Sequence, residues 1–275
     1  MAQPRKVDGP AHADGAGPGR ALTARSVVAS TLLGMSPPRL SSQLLVRSGE
    51  LFGIAEGTTR VALSRMVAAG ELEPVGGSYE LAGHLLARQQ RQIASRSTDP
   101  TRRRWTGEWE LLVVAGGGRR TARERARLRD AMGQRKLAED REGVWLRPAN
   151  LDAGRAPEAA AVVDDQCSRF LARPDGDDPA ALAARLWDLA GWARTADELR
   201  RAMAVDVDRL EAGDTSALAP TFVVSAAVVR HHVADPQLPA ELCPAGWPGD
   251  DLRTEYERYD LAFKQVWRAW FRRQR

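Results

Sequence analysis

Cysteine is almost absent: Cys167 and Cys243 are the two thiols in 275 residues, far apart and without a CxxC spacing. Such a pair builds neither a disulfide framework nor a zinc knuckle. Also missing is an uninterrupted apolar run of the roughly 18 to 20 residues that a membrane-spanning helix needs, and the opening MAQPRKVDGPAHADGAGPGR lacks the apolar stretch of a signal peptide. These absences predict a cytoplasmic protein with no membrane contact. His231 and His232 are adjacent, so on a helix they point about 100° apart and lack the i, i+4 spacing of helical zinc ligands. The pair predicts a surface or interdomain role, with no metal and no cofactor.

What is present fits a folded, multidomain chain. Hydrophobic residues make up 43% and charged residues 28%, ordinary values for a globular protein, and the length suffices for two or three cores. The net charge of +4 is unevenly spread. Arg88, Arg91, Arg96, Arg102, Arg103 and Arg104 are opposed locally by Asp99 alone, whereas the stretch from Asp152 to Asp178 is acid-rich. The N-terminal half is the half suited to a polyanion.

Residues 1–20, rich in Gly, Pro and Ala, predict a mobile tail. From residue 21 the apolar stripe Val27, Val28, Leu32, Leu33 predicts a helix that stops at Pro37 and Pro38. A second helix is expected from Ser41 to about Phe52 and a third from about Glu56 to Ala69, ended by Gly70. Leu72-Glu73-Pro74 and Tyr79-Glu80-Leu81 around Gly76-Gly77 read as two short strands and a turn. Helix, turn, helix and hairpin in this order predict a winged helix-turn-helix over residues 21–98. A hydrophilic connector carrying Arg91 to Arg104 follows.

In residues 105–188, WTGEWELLVV reads as a core strand, Thr121 to Gly133 as a helix, Gly143 to Pro148 as a second strand region, and Ala161 to Val163 and Ser168 to Ala172 as weaker strands. Another helix is marked by Leu182, Leu186 and Leu189. This alternation is similar to a ferredoxin-like split βαβ. Residues 189–275 read as a helical C-terminal domain, with segments near 195–212, 218–234 and 250–272. The fold class expected is therefore α+β.

On the third helix Ile54, Leu63 and Met66 fall on the core side, leaving Thr58, Thr59, Arg60, Val61, Ser64 and Arg65 for an outer face. Arginine can bond guanine with two donors, hydroxyls reach base edges or phosphates, and valine meets a thymine methyl, so the face suits a major groove. The same pattern serves an ordinary solvated helix or a winged helix that docks protein.

The segment GIAEGTTRVALSRMVAAGELE resembles the recognition-helix region of PaaX-type transcriptional regulators. WTGEWELLVV, GVWLRPANL and DPQLPAELCPAGWPGDD are similar, in the same order, to that family's first central strand, its signature central strand and its C-terminal proline-punctuated motif. The resemblance implies a homodimeric repressor of an aromatic or acyl-CoA catabolic operon, such as phenylacetate degradation. It would bind a palindromic operator in double-stranded DNA and be released by an acyl-CoA effector such as phenylacetyl-CoA. Residue by residue it carries over to Arg60, Ser64 and Arg65. The wing here is the short, uncharged VGGS where relatives often carry arginines, which weakens the case for wing contacts with phosphate.

For the effector the resemblance offers no local motif. The basic stripe Arg119, Arg123, Arg127 could grip phosphates or a CoA, or be a solvated helix face. Trp187 and Trp192 stand near the inferred junction of two domains, where pockets tend to form, so the candidate effector residues are Trp187, Trp192, Arg123 and Arg127. An enzymatic alternative, a metal-dependent nuclease built on the central domain, would need an aspartate near the end of the first central strand. That strand reads Val113-Val114-Ala115 there, without a carboxylate, and no enzyme activity is expected.

Overall fold

The computed structural model describes residues 22–96, 103–115, 120–176 and 178–274. The predicted tail, Arg102, Arg119 and part of the arginine-rich connector lie outside them. The fold is mixed α and β, mainly helical, with two small antiparallel sheets and a helical C-terminal part. Two compact units divide it.

One unit contains residues 22–96, 195–233 and 248–274. It opens with α1 (Ala24–Leu33), whose first turn is closed by a capping box between Thr23 and Ser26. A three-residue strand β1 (Arg39–Ser41) leads into α2 (Ser42–Leu51), with Ser41 as N-cap accepting from the Leu44 amide. Then follow α3 (Glu56–Ala68), β2 (Leu72–Val75), β3 (Ser78–Leu81) and α4 (Gly83–Arg96). The sheet order is β1-β3-β2. Gly76 and Gly77 both take positive φ (55° and 75°), the backbone a two-residue hairpin turn demands. Val28, Leu32, Leu45, Leu63, Met66, Leu72, Leu81 and Leu85 form the core of this part. Each such side chain contributes roughly 1.5–3 kcal/mol on leaving water.

The connector expected after the hairpin begins as a helix, α4, with Leu85, Gln89 and Gln92 buried. Gln89 donates to the Leu33 and Met35 carbonyls at 3.1 and 2.8 Å, satisfying the C-terminal end of α1. The same unit contains most of α8 (Leu189–Glu211), α9 (Leu218–Ala234) and α10 (Gly249–Arg273). Phe222 of α9 packs on Phe52 with ring centroids 4.8 Å apart. The C-terminal helices thus share a compact unit with the N-terminal segment. The stretch Thr215–Ala234 is long and apolar enough to cross a membrane by length and composition alone, though Arg230, His231 and His232 interrupt its apolar run, and half of its most apolar window is buried inside the fold. His232, expected at a surface or junction, is a core residue with 1% exposure against the Tyr256 ring.

The other unit holds the described residues of 103–194 together with 234–247. Its strands β4 (Trp109–Val114), β5 (Ala138–Arg141), β6 (Val144–Pro148) and β7 (Cys167–Ala172) lie in the order β5-β6-β4-β7, with every neighbouring pair antiparallel. α5 (Ala122–Gln134) and α6 (Pro157–Gln166) connect them and cover one face through Leu112, Leu128, Met132, Trp145 and Val163. Ala161 to Val163, expected as a strand, lie within α6, where Pro157 at the first turn and an alanine-rich run favour helix over their β-branched valines. The opposite face packs Trp109 and Leu146 with Leu182 of α7 (Pro179–Leu186), Leu189, Leu238 and Leu242.

Two segments singled out in the sequence meet in this unit. Arg147, 2% exposed, donates to the Pro148 and Arg135 carbonyls and to Asn150 Oδ1, and Asn150 Nδ2 donates to the Gln237 carbonyl at 3.0 Å. The GVWLRPANL strand is thereby tied to DPQLPAEL by buried hydrogen bonds, so these motifs include structural fasteners.

Candidate nucleic-acid interface

The face of α3 follows from helical periodicity. Leu63 and Met66 are each 1% exposed and anchor the helix on the core. Thr58, Arg60, Val61, Ser64 and Arg65 are exposed, as the sequence predicts. Val61 is 50% exposed, a large apolar side chain flanked by hydroxyls and guanidiniums. That combination offers both hydrogen-bond donors and a methyl-sized apolar contact on one surface.

Thr59 departs from the expected outer face. It is 0% exposed, and its Oγ1 turns back to the Ala55 carbonyl at 3.5 Å. Its place is the crossing of α2 and α3, against Gly49, so it holds the helix angle and cannot touch a groove.

The two arginines on the outer face differ. Arg60 Nε donates to Glu56 Oε1 at 2.7 Å, one turn earlier, with both side chains more than half exposed. Such i, i+4 pairs contribute about 0.3–0.5 kcal/mol and yield to a competing anion. Ala55, at the N-cap, supplies no side-chain acceptor, leaving the first amides of α3 without a side-chain cap. A phosphate oxygen could take that position, where the helix dipole favours negative charge.

The hairpin carries no cation of its own, but β1 supplies one. Arg39 pairs in register with Glu80 of β3, and its Nη2 donates to the Val75 carbonyl at 3.0 Å, beside the Gly76 turn. Arg39 is exposed. Sequence inspection missed it because a three-residue strand is defined by its distant partner, not by local alternation. Behind the hairpin, Arg25 Nε and Nη2 grip Glu71 at 3.0 and 2.6 Å, fixing α1 to the start of β2; Glu71 itself is 6% exposed.

The candidate effector residues do not converge. Trp192 is 8% exposed and stacked on Trp247 with centroids 4.5 Å apart and planes 17° apart, and Trp187 stacks on Trp109 at 6.5 Å. Both rings are packed against other aromatics within their own unit, as large aromatics commonly are. Arg123 and Arg127 stand exposed on α5, whose packing face is Leu128, Ala131 and Met132. Among the described residues no group of three or more His, Cys, Asp or Glu side chains is placed to hold a metal ion. Burial raises the pKa of the Cys167 thiol, which works against its nucleophilic thiolate form.

The family model described as PaaX-like protein matches residues 23–85. The chain is 42% identical to the uncharacterized protein Rv0674 from Mycobacterium tuberculosis, over 90% of this chain and 98% of that one, with a TM-score of 0.67. None of the curated proteins matches it. The chain belongs to the PaaX-like family, and its role is transcription regulation through binding to DNA.

Proposed function

We propose that the chain is a ligand-released transcriptional repressor whose N-terminal segment is a winged helix-turn-helix. In this reading α3 enters the major groove and presents Thr58, Arg60, Val61, Ser64 and Arg65 to base edges and flanking phosphates, while Arg39 grips a phosphate from the wing. The observation that carries the reading is the outer face of α3, where these five side chains are exposed over a helix pinned by Leu63 and Met66.

The strand order β5-β6-β4-β7, with α5 after the first strand and α6 before the last, fits a ferredoxin-like central domain. The protein works in the cytoplasm as a homodimer on a palindromic operator, and acts by binding rather than catalysis. Its operon is one of aromatic or acyl-CoA catabolism, and an acyl-CoA such as phenylacetyl-CoA releases it. A ligand does this by favouring a dimer geometry that no longer matches the half-site spacing.

The test is an electrophoretic mobility shift with DNA from upstream of the chain's own operon, against random DNA of equal length. A specific band that Arg65→Ala weakens supports the reading. No preference over random DNA overturns it, and unchanged affinity in both Arg60→Ala and Arg65→Ala would assign α3 to docking a protein.

A further inference from the structure

The four-stranded sheet has two edges, β5 and β7, and they are built differently. Open strand edges invite pairing with another chain, and proteins guard them with charge, bulges or a covering element. β5 carries such guards. It reads Ala138-Glu139-Asp140-Arg141, its register shifts between Glu139 and Arg141, and Arg185 of α7 donates to Asp140 at 3.0 Å.

Among the described residues β7 has none of these. Its register with β4 runs unbroken from Cys167 to Ala172, and Phe170 and Leu171 are 51% and 64% exposed. Its charged side chain, Arg169, is turned onto its own chain, with Nε 3.2 Å from Glu110 and Nη2 2.7 Å from Asp164, so it does not guard the edge.

The backbone of β7 is also open on that side. The Ala115 amide donates to the Gln166 carbonyl at 2.9 Å, one step beyond the pairing of Val114 with Cys167. By the alternation of an antiparallel ladder, Ser168, Phe170 and Ala172 then exchange bonds with β4, while Arg169 and Leu171 turn their amides and carbonyls outward. The Phe170 side chain lies on the sheet face of Leu111, a face that the exposed Val113 shares.

We infer that β7 pairs antiparallel with β7 of a second copy of this chain, about a two-fold axis at Phe170, joining the two sheets into one. Such a contact requires the strand to be complementary to itself, and charge selects the register. Outward groups must meet outward groups, so the axis passes through a residue and not between two. Axes at Arg169 and at Phe170 keep most of the strand paired. The first sets two guanidiniums opposite each other, which is destabilising. The second sets Arg169 opposite the partner's Leu171 and Ser168 opposite the partner's Ala172, with no like charges facing. The two Phe170 rings then meet at a non-hydrogen-bonded pair, where side chains come closest. This interface deepens the homodimer reading above and rests on it.

Sedimentation velocity on the full chain over a wide concentration range tests it, with a dimer expected for the wild type. Phe170→Asp places two carboxylates at the axis and should weaken dimerisation at least tenfold. Because the side chain is exposed, thermal melting of the dilute protein should change little. Under mild oxidation Phe170→Cys should form an intermolecular disulfide that reductant releases, since the Cα atoms of a non-hydrogen-bonded pair stand about 4.5 Å apart. Leu171→Cys should not, because Leu171 and its copy are diagonal neighbours, roughly 7–8 Å apart. The wild type, with Cys167 and Cys243, is the control for both.

A dimer unchanged by Phe170→Asp and uncrosslinked through Phe170→Cys overturns this interface and leaves the homodimer reading standing. Equal crosslinking through Leu171→Cys overturns the register. A wild type that stays monomeric overturns the homodimer reading and this inference with it. Mobility shifts are measured in parallel, and a dimer held by β7 that shows no preference for operator DNA defeats the repressor reading alone.

Discussion

Gly49 of α2 and Thr59 of α3 approach so closely that a Cβ added at Gly49 would stand 2.3 Å from Thr59 Oγ1. The contact sets how near the supporting helix and the outward-facing helix can pack. Gly49→Ala gains about 1 kcal/mol of helix propensity but forces apart two packed helices, an overpacking that costs about 1–3 kcal/mol. A net loss of stability is expected in urea denaturation, together with weakened operator binding as α3 tilts. The double variant Gly49→Ala, Thr59→Ala should recover most of both, because the methyl then occupies the space of the hydroxyl. Additive losses in the double variant would show that the approach of these two residues is not what limits packing.

Arg65 and Arg60 should not weaken DNA binding equally. Arg65→Ala removes an exposed guanidinium from the outer face of α3, and a loss of about 1–3 kcal/mol is expected if it reads a base. Arg60 must first leave Glu56, so Arg60→Ala should cost less. Glu56→Gln, which frees Arg60 and deletes a negative charge from the first turn of α3, should raise affinity for operator and random DNA alike. Titrations of labelled duplex at fixed salt measure all three, and an affinity lowered by Glu56→Gln would contradict the assignment of this face to DNA.

The outer face of α3 was legible in the sequence because 3.6-residue periodicity separates Leu63 and Met66 from Val61, Ser64 and Arg65. Thr59 was misassigned because its neighbour across the helix crossing, Gly49, is invisible to periodicity along a single helix. α4 was hidden by its many polar residues: Gln89 and Gln92 are buried and read as solvent-facing until their places against α1 are known. Trp187 and Trp192 suggested a pocket, and the structure uses them as stacked core rings. Two of the family-like segments are joined in the fold by Arg147, Asn150 and Gln237.

Arg39 gives the hairpin the cation that VGGS lacks. Arg39→Ala should lower affinity for specific and random DNA by a similar factor, since a phosphate contact carries no sequence information. It should also reduce the slope of log affinity against log salt by about 1, the signature of one lost phosphate neutralisation. Stability should change little, because the side chain is exposed and its bond is to the single Val75 carbonyl. A loss confined to the specific sequence, with the salt slope unchanged, would place Arg39 on a base instead.

Asp214 joins the end of α8 to the turn before α9. Its carboxylate accepts from the Ser216 amide and hydroxyl at 2.8 and 2.6 Å and from Arg209 Nε and Nη2 at 3.0 and 2.9 Å. These bonds, those from Ser216 foremost, hold its pKa below the usual aspartate value. The unfolded chain then binds the proton more readily, so the contribution of Asp214 is complete above the unfolded pKa of about 3.9 and fades as pH falls through the lower folded value. Glu211, lowered by its bond from Arg258, acts in the same direction. Urea midpoints measured from pH 6 down to pH 2.5 should show an acid limb that Asp214→Asn makes shallower: the variant is the less stable protein at pH 6 and converges on the wild type at the acid end. A gap that stays constant across the range would mean that Asp214 contributes through shape alone and not through its charge.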